Sequence, residues 1–178
     1  MDDDFAALGL KPKPWISAGM LDDISERIAR EEHPDRGGDT QEFAHKQEAL
    51  QRLKSPVHVL REFLAIHGCG GEKVYTLDHS QTEHFEKIID LLTQVNALGD
   101  PPLSGIAIAM WKRRATELLR EITRWTEILG PEKIRHEEAF EEWTVDEGLE
   151  VLQGAFPRYQ LVSRWLGQLK EAQEKLAG

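Results

Sequence analysis

Apolar residues recur at three- and four-residue intervals along most of the chain, and no run alternates apolar and polar positions as a half-buried strand would. That spacing predicts an all-α protein. Asp4-Phe5-Ala6-Ala7-Leu8 predicts a short helix stopped by Gly9. Lys11-Pro12-Lys13-Pro14 predicts an extended loop, because each proline fixes φ and turns the residue before it away from helix. Ser17 is placed to cap a helix over 17–32 whose apolar stripe is Leu21, Ile24 and Ile28. Asp39 or Thr40 caps a helix to about 54, with Phe43, the Lys46 stem, Leu50 and Leu53 facing inward. Ser55-Pro56 separates it from a helix over 57–67 that carries Val59, Leu60, Phe63 and Leu64.

Gly68-Cys69-Gly70-Gly71 interrupts the pattern and predicts a boundary: a helical module over 1–68, a linker over 69–79 and a C-terminal helical bundle over 80–178. In the bundle, a helix over 80–98 carries Phe85, Ile88, Leu91, Leu92 and Val95, and Gly99-Asp100-Pro101-Pro102 ends it. A second helix spans 104–129, with Trp111, Leu118, Leu119, Ile122, Trp125 and Leu129 on one side. Pro131 after Gly130 suits the first position of a separate acidic helix reaching about 143. Thr144-Val145-Asp146-Glu147 has the pattern of a capping box before a further short helix. The last helix is expected over 158–176, with Leu161, Val162, Trp165, Leu166 and Leu169 inward.

Composition narrows the class. The 178 residues are 40% hydrophobic and 30% charged, enough apolar material for a packed core. The 32 acidic residues outnumber the 22 basic ones, giving a formal charge of −10. The acidic excess is spread over both parts, so no basic surface for nucleic acid is expected. The longest apolar run, 103–110, falls far short of the ~20 residues of a membrane-spanning helix. Cys69 is the single cysteine, which excludes an intrachain disulfide and a cysteine-built zinc or iron–sulfur site. The opening Met-Asp-Asp-Asp is acidic where a leader would be basic, so the expectation is a cytoplasmic protein with no membrane partner.

Few residues carry chemistry of their own. The histidines at 33, 45, 58, 67, 79, 84 and 136 include no pair four apart, and no His-Glu-x-x-His occurs, so neither a metal site nor a cofactor is expected. Gly-x-Gly-x-x-Gly, the phosphate-binding loop and Gly-x-Ser-x-Gly are all absent, and the chain reads as no enzyme. Lys112-Arg113-Arg114 reads as a solvated helix face or a contact for an acidic client, and the cluster Glu137, Glu138, Glu141 and Glu142 as a solvated helix face. Of the five tryptophans, Trp111, Trp125 and Trp165 read as bundle core and Trp15 as packing beneath the Pro-rich loop.

The informative residues are His33-Pro34-Asp35, placed between two amphipathic helices. Asp4-Phe5-x-x-Leu8-Gly9-Leu10 precedes them. Phe43, Gln47-Glu48-Ala49-Leu50 and Leu53-Lys54-Ser55-Pro56 follow. In this order and spacing, residues 3–67 resemble a J-domain, the module with which DnaJ-type co-chaperones engage a DnaK-type ATPase chaperone. The segment 55–68 further resembles the one after the J-domain in HscB-type co-chaperones, whose C-terminal bundle binds an iron–sulfur scaffold protein. The C-terminal part shares only hydrophobic periodicity with them, and the short Gly37-Gly38 turn is closer to ordinary J-domains.

The resemblance implies a chaperone contact made by His33, Pro34 and Asp35 with Arg27, Arg30 and Arg36, and a client or scaffold protein bound by the bundle. Asp35 would accept charge-assisted hydrogen bonds from partner arginines. Without the resemblance, Pro34 is a helix stop, Asp35 a cap and His33 incidental. One departure bears on activity. Asp22, Asp23, Glu26, Glu31 and Glu32 dominate the helix that is basic in active J-domains, and Ser25 stands where an aromatic residue is usual. Like charges across an interface slow association and cost affinity. Two expectations stand: a co-chaperone that stimulates ATP hydrolysis, or a J-like interaction module that no longer does.

Overall fold

A computed structural model describes residues 3–31, 39–70 and 79–177. The regular structure among them is entirely helical: α1 (Asp4–Ala7), α2 (Ala18–Glu31), α3 (Thr40–Leu53), α4 (Pro56–Ile66), α5 (His79–Leu98), α6 (Gly105–Glu142), a 3-10 turn (Val145–Glu147) and α7 (Leu149–Ala177). None of these helices is long and apolar enough to cross a membrane. The chain forms two compact units. One comprises Met1–Lys73 with His136–Tyr159, the other Val74–Arg135 with Gln160–Gly178. Residues 136–159, which the hydrophobic pattern put in the C-terminal bundle, thus group with the N-terminal helices.

Local signals account for the first unit's helix ends. Asp3 accepts a hydrogen bond from the Ala6 N–H and starts α1. Gly9, at φ +67°, turns the chain out of it. Ser17 Oγ accepts from the Met20 N–H at 3.3 Å at the start of α2, as its position predicts. Asp39 caps α3, accepting from the Gln41 and Glu42 N–H groups at 2.8 and 2.9 Å. Ser55 caps α4, with Pro56 in the first turn where no N–H donor is needed. Leu21, Ile24, Ile28, Leu50, Leu53 and Val59 are buried as expected and form one core with Phe5, Leu8, Ile16 and Ala49, whereas Phe43 and Lys46 are only partly buried; α3 packs against α1, α2 and α4. Leu60, Phe63 and Leu64 of α4 enter a second core with Phe140, Leu152 and Tyr159.

The second unit packs Ile88, Leu91 and Val95 of α5 with Leu118, Ile122, Trp125 and Leu129 of α6 and Val162, Trp165 and Leu169 of α7. Phe85, expected inward, is 39% exposed because the buried stripe of α5 runs through Ile88, Leu91 and Val95 instead. Trp111 is partly buried, and its Nε1–H donates to the Gly99 carbonyl at 3.1 Å, fastening the turn between α5 and α6.

Two helix boundaries differ from those expected. Pro131 opens no new helix, because α6 runs through it from Gly105 to Glu142. Likewise α7 begins at Leu149 and contains Pro157. Proline lacks the N–H that would bond four residues back, yet its fixed φ is compatible with helix. In α6 the helix on either side is anchored, by Leu129 in one core and Phe140 in another. The 3-10 turn replaces the short helix expected after Thr144, and the Glu147 carboxylate accepts from the Thr144 N–H at 2.7 Å as in a capping box. Glu138, Glu141 and Glu142 are exposed, whereas Glu137 accepts a hydrogen bond from the Tyr159 hydroxyl at 2.9 Å.

Leu50 is completely buried where α1, α2 and α3 meet. Leu50→Ala is expected to cost about 2–5 kcal/mol in a denaturant titration, and a loss under about 1 kcal/mol would contradict this packing.

Candidate functional site

His33, Pro34, Asp35 and Arg36 lie outside the described residues, in the segment 32–38 between α2 and α3. The two other expected contact residues are both exposed on α2. Arg27 Nη2 donates to the Leu8 carbonyl at 3.3 Å, covering an acceptor just beyond the end of α1. Arg30 lies 3.7 Å from the Glu31 carboxylate. Asp22, Asp23, Glu26 and Glu31 are exposed, so the outer surface of α2 is mainly acidic.

The least expected feature of the first unit is a buried polar cluster. Asp4 and Glu62 are 2% and 5% exposed, and they are the two buried charged residues among those described. The cap at Asp3 places Asp4 in the first turn of α1, Arg52 stands in the last turn of α3, and α4 brings His58 and Glu62 one turn apart on one face. Arg52 grips Asp4 with two hydrogen bonds, Nε to Oδ2 at 2.8 Å and Nη2 to Oδ1 at 2.5 Å. His58 Nε2 lies 2.8 Å from Asp4 Oδ2. The Asp4 backbone N–H donates to Glu62 Oε1 at 2.5 Å. Glu62 Oε2 is 3.2 Å from His58 Nε2 but has no hydrogen-bond partner.

Opposite forces act on the two carboxyls. The Arg52 guanidinium holds Asp4 below the usual carboxylate range; burial pushes the other way, and His58 adds to the lowering. Burial raises Glu62, the Asp4 N–H offsets part of this, and the neighbouring Asp4 carboxylate raises it further. Arg52 is held more firmly protonated by its bond to Asp4. The cluster holds two acids, one imidazole and one guanidinium, with no nucleophile beside a base. It can hold a proton or a cation.

The sequence did carry a signal for this site. His58 and Glu62 are four apart at the start of a capped helix, a His/Glu pair that a search for His–His spacing passes over. Nothing local marks Asp4 and Arg52 as their partners, since the contact joins residues 48 apart.

Comparison with protein-family models, with curated proteins and with solved structures finds no match.

Asp4→Asn is expected to destabilise the protein by about 2–3 kcal/mol at neutral pH, because Arg52 and His58 lose their charged acceptor. Glu62→Gln is expected to be neutral or stabilising there: Gln keeps an acceptor for the Asp4 N–H and removes a charge that burial disfavours. In the wild type, the stabilisation from Asp4 is complete above its ordinary value of 3.8 and fades as pH falls through its lower folded value. Glu62 acts in the opposite sense, its ionisation costing stability as pH rises from its ordinary 4.5 through its raised folded value. Urea titrations across this range should therefore lose the acid-side rise in Asp4→Asn and the fall above it in Glu62→Gln. Unchanged pH profiles in both variants would contradict the assignment.

Proposed function

We propose that the protein is a J-domain co-chaperone that engages a DnaK-type chaperone and stimulates its ATP hydrolysis. The observation that carries this reading is the placement of His33-Pro34-Asp35 in the chain between α2 and α3, two 14-residue helices that share one core with a short N-terminal helix. In such a module the three residues, with Arg27, Arg30 and Arg36, meet the partner, and the chemistry is the partner's. The second unit would bind a client or scaffold protein, an iron–sulfur scaffold if the HscB-like resemblance extends to function. Exposed apolar residues support a protein-binding role: Leu103, just before α6, is fully exposed, and Ile106 and Met110 in its first turns are 83% and 70% exposed. Ile106 and Met110, four residues apart on α6, put apolar surface in water on one helix face, as interaction surfaces do.

A second reading has a specific observation in its favour. The outer surface of α2 sets Asp22, Asp23, Glu26 and Glu31 against Arg27 and Arg30, an acidic excess that disfavours contact with an acidic chaperone surface. On that reading the module binds other proteins without stimulating a chaperone.

Steady-state ATP hydrolysis by the host's DnaK-type chaperones, with and without this protein, separates the two. Several-fold stimulation that disappears with His33→Gln is the expected result. Absence of stimulation, or equal stimulation by the variant, would overturn the co-chaperone reading and leave the interaction module.

A further inference from the structure

We propose that Asp4, His58 and Glu62 form a binding site for a divalent transition-metal ion of the zinc class. One atom from each residue can reach a common centre, with all three ligand atoms within 4.8 Å of one another. Two ligands about 2.0–2.1 Å from a tetrahedral ion stand roughly 3.3 Å apart. The 3.2 Å between His58 Nε2 and Glu62 Oε2 fits that spacing, and the 2.8 Å between His58 Nε2 and Asp4 Oδ2 needs to open by only about half an ångström.

The remaining atoms already have the partners that support ligands. Asp4 Oδ1 accepts from Arg52 Nη2 and Glu62 Oε1 accepts from the Asp4 N–H, which fixes both carboxylates and turns their second oxygens toward His58. The independent sign of a ligand is Glu62 Oε2, an oxygen without a hydrogen-bond partner on a side chain that is 6% exposed. An imidazole Nε2 carries at most one proton, and here it faces two carboxylates. Given to Asp4, that proton leaves Glu62 Oε2 unserved; an ion with four positions serves both acids and the imidazole together. With neutral His58 the four side chains carry a net charge of −1, which suits a cation. Binding would break the bond from Arg52 Nε to Asp4 Oδ2 and keep the one to Oδ1. The edge of His58, 29% exposed, provides access from solvent. One nitrogen and two oxygens suit zinc or cobalt, whereas magnesium and calcium require more oxygen ligands.

The test uses the full chain, stripped with a chelator and titrated with zinc chloride while thermal unfolding is followed, with cobalt chloride as a visible-absorption probe. Saturable binding of one equivalent, a raised unfolding temperature and cobalt absorption in the visible are expected, with no response to magnesium. Glu62→Gln and His58→Gln, checked for folding by circular dichroism, should each weaken binding by at least about 100-fold. Two separate variants guard against one misfolding. No stabilisation of the wild type would overturn the proposal. So would binding that survives both substitutions, as ions on a surface pair such as His79 and Glu83 would.

Discussion

The bond between the Asp4 carboxylate and the Arg52 guanidinium is the constraint on which the first unit depends. Helix α1 has four residues, far too few to persist alone in water. It is held because Phe5 and Leu8 are buried in the core of α2 and α3, and because Asp4 is tied to Arg52 on α3 and to His58 and Glu62 on α4. Three separate segments are therefore fixed around one carboxylate. Burying Asp4 would be costly if its charge were uncompensated. Arg52, partly in solvent, compensates it while keeping its own hydration in part, which lowers the cost relative to a fully buried pair.

The same arrangement connects local chemistry to the functional reading. α3 is held by α1, by α4 and by the Leu21, Ile24 and Ile28 stripe of α2. Helix α2 ends at Glu31, and α3 begins behind the Asp39 cap. Helix α2 carries Asp22, Asp23 and Glu26 outward, and a chaperone partner of the proposed kind would have to accommodate them. Arg27 contributes to the fold through Leu8 as well as to the surface charge.

Much of the helical content was legible because it is local. Ser17, Asp39 and Ser55 mark helix starts by hydrogen bonds spanning two or three residues, and the buried stripes follow helical spacing. Prolines misled where tertiary packing outweighed local preference. Pro131 looks like a helix start, yet it sits inside α6 with core residues on either side, and α7 likewise runs on through Pro157. Residues 136–159 were assigned to the bundle because sequence adjacency is silent on which core a helical stretch joins. Phe140, Leu152 and Tyr159 meet Leu60, Phe63 and Leu64 of α4 through contacts far apart in the chain. The polar cluster was hidden for the same reason: its His58–Glu62 half is local, and its Asp4–Arg52 half is not. The fold of the first unit was readable to the level of its stripes, and its site only to the level of one helix face.

The most direct test of this account is a double-mutant cycle on Asp4→Asn and Arg52→Gln, read by urea unfolding at neutral pH. If the pair joins α1 to α3 as described, the two losses will fall short of additivity by about 1–3 kcal/mol. Losses that add to within about 0.5 kcal/mol would mean that the two side chains act independently, and that something other than their bond holds α1 in place.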